Sequence, residues 1–347
     1  MKNKAMLAFT FCLFALVPAF AQAPKPGSVG ANQLTLERTL DRKTPWGEPG
    51  APKNTPPVNI SVNCNSTVGP NTTISGTIAH LDPTRVWVLN ISGACKENVL
   101  IQSFENISLI AQPGASITDP SGGNLNVIDV FDTHEFSLQG FTINGGAFGV
   151  RCIDYSLCRF SGNTIQAAAG AGVIIWLSRA VFTGDVMQNN SGRGLTIINA
   201  GTAALRFVTI QNNALAGVAA LFGSSVFAEN LVARHNGGFG GIRISDHSTL
   251  RLADSTLTAN LVNGVFLDSS SEAEFDDLST FNQISGNGGS GVFLGDLSFG
   301  NFTGADQITG NNLTNPGGFD VFCGPQFSAT RGALTSIGGG TTNCTEP

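Results

Sequence analysis

The chain has 347 residues, of which only 12% are charged, and it carries 43 glycines and a formal net charge of −6. The sequence contains no cluster of lysine and arginine residues that would neutralise a phosphate backbone. Nucleic acid is therefore not an expected partner.

The N-terminus has the pattern of a secretory signal peptide. Lys2 and Lys4 precede an apolar stretch that ends at Phe20, and small residues over 19–23 provide two overlapping cleavage sites. The stretch is shorter than the roughly 20 apolar residues of a transmembrane helix. We predict a signal peptide over 1–21, a secreted protein (extracellular or periplasmic), and no membrane insertion after cleavage.

A proline-rich arm and a cap are predicted next. Residues 22–60 combine many prolines with few apolar anchors, which favours a flexible arm. We predict that residues 61–97 form an N-terminal cap with a short helix over 71–81, because Ile74, Ile78 and Leu81 would share one face. Such a helix would cover the end of a β-stack, whose unpaired edge otherwise invites association.

Seven cysteines are present, and Cys12 lies in the predicted signal peptide. The six that remain suit an oxidising compartment. The sequence does not fix their connectivity, but proximity along the chain suggests the pairs Cys64–Cys95, Cys152–Cys158 and Cys323–Cys344. A metal site is disfavoured, because there is no Cys-x-x-Cys and the histidines are scattered.

An internal repeat covers most of the chain. Its glycines, at spacings of 23, 22, 23, 24, 23 and 27 residues, are Gly149, Gly172, Gly194, Gly217, Gly241, Gly264 and Gly291. Each unit alternates like short strands and cannot bury its own apolar side chains, whereas stacked units can. We predict an all-β protein, a parallel β-helix of three-strand coils over 98–323 with roughly 9–10 rungs, and a C-terminal cap over 324–347.

Alignment of the coils predicts inward columns and an internal ladder. Phe227 is placed in the second-strand column after Leu205, and Val232 in the third-strand column after Ile210. The turn after the third strand repeats an asparagine whose amide would bond to its neighbour in the next rung. The ladder comprises Asn190, Asn213, Asn236, Asn260, Asn287 and Asn311.

These features resemble the right-handed parallel β-helix family, with its pectate-lyase-like fold and PbH1-type repeats. The match rests on the Gly-Val coil starts, the Phe-Ser-Gly-Asn-Thr-Ile run at 160–165, and the Asn-Asn turns at 189–190 and 212–213. The chain ends are similar to those of secreted bacterial members. The resemblance implies the fold and export, but only a broad class of activity, because lyases, glycosidases and adhesins share the fold.

No catalytic signature is identified. Polygalacturonase-like members carry Asn-Thr-Asp and Gly-His-Gly segments, which this chain lacks, although Asp276-Asp277 and Arg243-Ile244-Ser245 echo two others. Without those segments the acid and base pairing of a glycosidase is missing.

The outward positions of the first strands form a column that ends with Phe266, Phe293 and Asp320, and these positions include an apolar stripe. We predict that six residues form a contiguous exposed surface that binds substrate: Ile174, Trp176, Ile198, Leu221, Phe266 and Phe293. Two interpretations stay open. The stripe is either a groove that stacks sugar rings or receives a partner, or a surface covered by the proline-rich arm.

Two polar clusters are candidate reactive or metal sites. Asp129, Asp132 and Asp154 fall beside Arg151 on rungs about 4.8 Å apart, a set that would suit Ca²⁺ and a lyase arginine. A surface ion-pair network is the alternative. The second cluster places His247 near carboxylates and an arginine. The candidate catalytic residues are Arg151, Asp154, Arg243 and His247, and the candidate Ca²⁺ ligands are Asp129, Asp132 and Asp154.

The sequence therefore predicts a secreted, monomeric β-helix that binds extracellular or cell-surface polysaccharide along its first-strand face. A Ca²⁺-dependent polysaccharide lyase and a structural or adhesive surface protein are the alternatives.

Overall fold

The computed structural model describes residues 56–276, 280–314, 318–324, 329–331 and 336–345. The predicted signal peptide and most of the proline-rich arm lie outside these ranges. The arm's predicted end at residue 60 overlaps the first strand, which begins at Val58. No helix among the described residues is long and apolar enough to cross a membrane.

Parallel strands from successive coils pair into three sheets, here called sheets 1, 2 and 3 after the order of strands within a coil. Sheet 1 contains β4 (Val99–Gln102), β7 (Ile128–Phe131), β10 (Val150–Ile153), β13 (Val173–Trp176), β16 (Leu195–Ile198), β19 (Val218–Leu221), β22 (Gly240–Ile244), β25 (Asn263–Leu267), β28 (Val292–Leu294) and β31 (Val321–Cys323).

Sheet 2 contains β1 (Val58–Asn63), β2 (Val86–Ser92), β5 (Asn106–Ala111), β8 (Glu135–Gln139), β11 (Leu157–Ser161), β14 (Arg179–Thr183), β17 (Thr202–Arg206), β20 (Ser225–Glu229), β23 (Thr249–Ala253), β26 (Glu272–Asp276), β29 (Phe299–Phe302) and β32 (Ala329–Arg331). Sheet 3 contains β3 (Ala94–Lys96), β6 (Ser116–Thr118), β9 (Thr142–Asn144), β12 (Thr164–Gln166), β15 (Val186–Gln188), β18 (Thr209–Gln211), β21 (Val232–Arg234), β24 (Thr256–Thr258), β27 (Gln283–Ser285) and β30 (Gln307–Thr309).

The predicted all-β parallel β-helix of three-strand coils is confirmed, with about ten turns. One buried apolar cluster fills its interior along the whole length, because every strand turns alternate side chains inward. Equivalent residues stack on one another in neighbouring coils. The rings of Phe160 and Phe182, for example, are stacked at 4.5 Å between centroids.

The repeated glycines mark places where backbones come close. A Cβ at Gly217 would lie 2.6 Å from the carbonyl oxygen of Gly241 in the next coil and 2.9 Å from the amide nitrogen of Asn236. A side chain does not fit there, which explains why each coil opens on glycine.

The register of one coil differs from the prediction. Ala228, not Phe227, pairs with Leu205, and Ala233, not Val232, pairs with Ile210. A slip of one residue exchanges the two faces of a strand. Alignment favoured the larger apolar residue at each position, but the structure buries the alanines and leaves Phe227 on the outer face, where the guanidinium of Arg251 lies over its ring.

The predicted asparagine ladder is present. Each amide oxygen accepts hydrogen bonds from the backbone N–H and side-chain amide of the preceding asparagine, from Asn190 to Asn311. The ladder ends on Asp320, whose carboxylate accepts from Asn311 and from Thr341. Burial raises the pKa of Asp320, but these hydrogen bonds outweigh it and the pKa is lowered.

A second internal series of polar groups lies at the corner between sheets 2 and 3. Asn163 accepts from the N–H of Phe141 and donates its own N–H and side-chain amide to Asp185. The N–H of Thr183 also donates to Asp185, whose side chain is fully buried. Burial raises the pKa of Asp185 to about 6, although the hydrogen bonds from Asn163 and Thr183 oppose the shift.

Asp185 is expected to make stability fall as pH rises. Its folded-state pKa lies above the usual aspartate value of 3.8, so the folded protein binds more protons than the unfolded chain between about pH 4 and 6. The stabilisation that Asp185 contributes is fully present below about pH 4 and is lost as the pH rises through about 6. It amounts to about 3 kcal/mol, because the pKa values of Asp185 in the folded and unfolded states differ by about two. We expect urea unfolding from about pH 4 to 8 to show Asp185→Asn flattening this decline. The loss of the Thr183 hydrogen bond adds only a pH-independent offset. An unchanged slope would contradict the assignment.

The N-terminal end carries the predicted short helix, α1 (Ile74–Ile78), which is shorter than the predicted 71–81. Its start is fixed because the Thr73 hydroxyl accepts from the N–H of Gly76 and the Glu97 carboxylate accepts from those of Ile74 and Ser75, at 2.8 Å each.

The three predicted disulfides, Cys64–Cys95, Cys152–Cys158 and Cys323–Cys344, are confirmed.

Candidate functional site

The outer face of sheet 1 presents two columns of side chains, set by the pairing of its strands. The first column is Leu100, Asp129, Arg151, Ile174, Thr196, Ala219, Arg243, Phe266, Phe293 and Phe322. The second column includes Gln102, Phe131, Ile153, Trp176, Ile198 and Leu221. Ser245 and Asp268 follow the ends of β22 and β25 and continue it.

The second column contains a continuous apolar run across five coils: Phe131, Ile153, Trp176, Ile198 and Leu221. We call this run the apolar column. All five side chains are half-buried, so each retains a solvent-facing part. Trp176 stands at the centre and is its largest member.

A ladder of phenyl rings continues the first column toward the C-terminus. Phe239, Phe266, Phe293 and Phe322 follow one another with centroid distances of 5.0–5.2 Å. Phe266 and Phe293 are nearly parallel, at 13°, so their faces cover one another. Between stacked neighbours the ladder therefore offers ring edges to solvent, which makes it a poor platform for stacking sugar rings.

At the last rung of sheet 1 the observed strand pairing differs from the predicted register. The sequence placed Asp320 beside Phe293, but Phe322 pairs with Phe293 and lengthens the phenyl ladder by one ring. Asp320 is buried at the end of the asparagine ladder. The long turn before β31 left the frame of this coil undetermined from the sequence.

The six residues of the predicted stripe lie on the outer face of sheet 1, but they do not form one contiguous exposed surface. Ile174 is buried, with 9% exposure, and the other five are half-buried. The rung of Arg243 and Ser245 separates the apolar column from the phenyl ladder. The arm that was the alternative cover lies outside the described residues.

Arg243 on this separating rung interacts electrostatically with a second arginine, Arg193. Arg243 lies over the ring of Phe239 at 4.0 Å, donates to the Ser245 hydroxyl at 3.0 Å and faces Asp268 at 3.8 Å. Burial lowers the pKa of Arg193, and the positive charge of Arg243 lowers it further. We call these two residues the arginine pair.

The arginine pair is not fully neutralised. The buried Nε of Arg193 has no hydrogen-bond partner, and this side chain forms no ion pair within the described part of the chain. One oxygen of Asp268, Oδ1, is likewise buried without a partner. A buried donor that lacks an acceptor is unfavourable, and an anion bound at the half-buried Arg193 side chain would compensate its charge.

Arg193 and Phe239 were not identified from the sequence. Arg193 belongs to a turn at 189–194 and not to a strand, so a search of strand positions passes over it. A signal was available, because the equivalent turns of the two neighbouring coils carry Ala171 and Ala216 before the coil glycine. An arginine at a position that is alanine in both adjacent coils points to a specific role.

The predicted Ca²⁺ ligands are not brought together. The guanidinium of Arg151 binds both oxygens of Asp129, at 2.6 and 2.8 Å, and the amide of Asn126 adds a third bond. Asp132 and Asp154 instead occupy the corner after the strands, with φ of 45° and 52°. Across the described residues, only Cys64, Cys95 and Glu97 form a group of three metal-capable side chains, and the two cysteines are disulfide-bonded.

The second polar cluster is also only partly assembled. Arg243 and Asp268 meet, whereas His247 is exposed at the corner with φ of 61°. The structure shows no hydrogen bond or ion pair from the His247 imidazole to any described residue. The surface-network interpretation of both clusters thus accounts for the contacts that are observed.

The comparisons agree with this architecture. A protein-family sequence model described as the right-handed β-helix region matches residues 148–313. The pectate lyase Pel9A has a similar structure, with 10% identity over 84% of this chain and 83% of that one and a TM-score of 0.57, which shows a shared fold. The A-module of the mannuronan C-5 epimerase AlgE6 of Azotobacter vinelandii aligns at 11% identity over 79% and 81%, with a TM-score of 0.47. No curated protein sequence matches the chain.

Proposed function

We propose that this right-handed parallel β-helix repeat protein binds an acidic polysaccharide along the outer face of sheet 1. The observation that carries the proposal is the arginine pair, in which Arg193 has a buried donor without an acceptor beside a second positive charge. A carboxylate or sulfate on a sugar would accept from both guanidinium groups.

The apolar column supports a chain-like ligand. It extends from the arginine pair across five coils, a distance of about 20 Å at about 4.8 Å per coil. Half-buried Trp176 offers a surface for the apolar face of a sugar ring. A fold shared with a pectate lyase is consistent with a polysaccharide ligand.

The proposed function is binding of the acidic polysaccharide. On the two outward columns of sheet 1 the carboxylates among the described residues are Asp129 and Asp268, and each faces an arginine of a neighbouring rung. Export belongs to the same proposal, because three disulfides persist in an oxidising compartment.

The test is retention of the purified mature protein by polygalacturonate and alginate, compared with neutral dextran, at low and high salt. We expect retention by the acidic polymers that salt weakens, because screening reduces charge attraction. Ultraviolet absorbance of unsaturated products, recorded with Ca²⁺ and with chelator, distinguishes binding from lyase activity. Absence of retention by every acidic polymer would overturn the proposal.

Trp176→Ala is expected to weaken acidic-polysaccharide binding about tenfold, which corresponds to about 1.4 kcal/mol for a lost aromatic contact. The measurement is the dissociation constant by calorimetry or affinity electrophoresis. Phe207→Ala is the matched control, because Phe207 is an exposed aromatic residue at the corner between sheets 2 and 3. Equal losses in both variants would argue against a specific contact at Trp176.

A further inference from the structure

The outer face of sheet 3 differs from that of sheet 1, because it is almost free of charge. Its first column, from the N-terminal side, is Ala94, Ser116, Thr142, Thr164, Val186, Thr209, Val232, Thr256, Gln283 and Gln307. Its second column is Lys96, Thr118, Asn144, Gln166, Gln188, Gln211, Arg234, Thr258, Ser285 and Thr309. Lys96 and Arg234 are the two charged residues in these columns.

An external chain of amides runs along the second column. Gln166 donates to Asn144 at 2.8 Å, Gln188 donates to Gln166 at 2.9 Å, and Gln211 donates to Gln188 at 2.8 Å. The Nε of Arg234 closes the series with a 2.8 Å bond to the oxygen of Gln211. The amides are therefore held in one orientation, which surface glutamines ordinarily are not.

The chain of bonds leaves hydrogen-bonding capacity unused. A primary amide has two N–H donors and two acceptor lone pairs. Gln188 uses one donor toward Gln166 and one lone pair toward Gln211. One donor and one lone pair per coil remain, repeated about every 4.8 Å. A sugar hydroxyl, which both donates and accepts, matches such an array.

The neighbouring column supplies short apolar groups. Thr164, Val186, Thr209 and Val232 follow one another and are half-buried, so their methyl groups form a low, even strip beside the amides. Neither column holds a large apolar or aromatic side chain, the kind that anchors most protein interfaces. The chemistry thus favours a polyhydroxylated ligand over a protein partner.

We propose that the outer face of sheet 3 binds a neutral polysaccharide, with the chain lying along the axis of the β-helix. Hydroxyl groups contact the amides from Asn144 to Gln211, and C–H faces contact the strip from Thr164 to Val232. The ligand is neutral because the columns offer only two cations, Lys96 and Arg234, neither of which lies between Asn144 and Gln211, and no anion. This surface is separate from the face of sheet 1 and does not depend on the function proposed for it.

The test uses affinity electrophoresis of the mature protein in gels containing hydroxyethylcellulose, with polygalacturonate gels run in parallel. The double variant Gln188→Leu with Gln211→Leu removes two amides at nearly constant volume. We expect retardation by the neutral polymer to weaken at least tenfold. Retardation by polygalacturonate should be unchanged, so failure of either proposal is seen separately.

A second variant keeps every amide. Thr209→Arg places a long side chain above the strip and is also expected to weaken retardation at least tenfold. Thr202→Arg is the matched control, because Thr202 faces outward from sheet 2 in the same coil. Thermal unfolding confirms that each variant is folded.

The proposal is overturned if the wild-type protein is not retarded by hydroxyethylcellulose, or if both variants retain its retardation. It is also overturned if sedimentation reveals a dimer that only Thr209→Arg dissociates, since the face would then belong to a second copy.

Discussion

Replacing Asn236 by leucine is expected to lower the free energy of unfolding by about 4 kcal/mol. The Asn236 oxygen accepts from the backbone N–H and amide of Asn213, and its amide donates to Ile210 and Asn260. Leucine has a similar volume but leaves the donors of Asn213 buried without acceptors. Each such group costs about 1–3 kcal/mol, and several are affected at once. Urea unfolding monitored by circular dichroism measures the loss.

The control is Asn212→Gly in the equivalent turn of the preceding coil. Asn212 is exposed and has φ of 56°, a conformation that glycine adopts freely. We expect a change within about 0.5 kcal/mol. If both variants were equally destabilised, the loss would reflect the turn conformation and not the ladder.

The asparagine ladder was predictable because it follows directly from the repeat, whereas the disulfide pairs were suggested only by proximity along the chain. Once the coils are aligned, residues such as Asn190 and Asn213 must be neighbours, since coils stack in parallel and in register. The periodicity of the repeat thus predicts contacts between residues 22–24 positions apart in the sequence, which local secondary-structure propensity does not predict. The same reasoning placed the outward residues of sheet 1 on one face.

The errors occur where the repeat changes length or composition. In the coil of β20 and β21, alanines occupy the inward positions, so size was a misleading guide and Phe227 was assigned to the core. Before β31 the turn is longer, and the frame slipped by two residues at Phe322. In both places the hydrophobic pattern admits two registers, and packing decides between them.

The candidate site was predicted less completely because it depends on side-chain reach. Register showed that Asp129 and Arg151 are adjacent, but not that the guanidinium would occupy both carboxylate oxygens. It also gave no indication that the positive charge of Arg243 acts on Arg193, a turn residue. Local packing sets the directions of long side chains, and the spacing of the repeat carries no information about that packing.

The charges of the arginine pair support the proposal that it binds an anion. A half-buried cation without a counter-ion destabilises the folded protein, and the positive charge of a second arginine increases the penalty. The Arg243 carboxylate partner, Asp268, compensates one of the two charges. Such local destabilisation is expected where a ligand completes the electrostatics.

The double variant Arg193→Gln with Arg243→Gln is therefore expected to bind acidic polysaccharide at least 100-fold more weakly at low salt. The loss corresponds to about 3 kcal/mol, the contribution of two charge-assisted hydrogen bonds. Calorimetric titration with oligogalacturonate measures the affinity, and its dependence on salt should become shallower because two charges are removed. The single variant Arg193→Gln should be no less stable than the wild-type protein, since it removes burial of a charge and its repulsion from Arg243.

Arg206→Gln is the matched control for charge. Arg206 is exposed on the outer face of sheet 2, where it pairs with Glu229 at 3.5 Å. Removing this charge reduces long-range attraction by the same formal amount as the single variant Arg193→Gln but touches no residue of sheet 1, so we expect a change in affinity below about threefold, as for a screened surface charge. Similar losses in the control and in either arginine-pair variant would show that net charge, and not the geometry of Arg193 and Arg243, determines binding. Undiminished affinity in the double variant would refute the assignment of these arginines as the anion-binding groups.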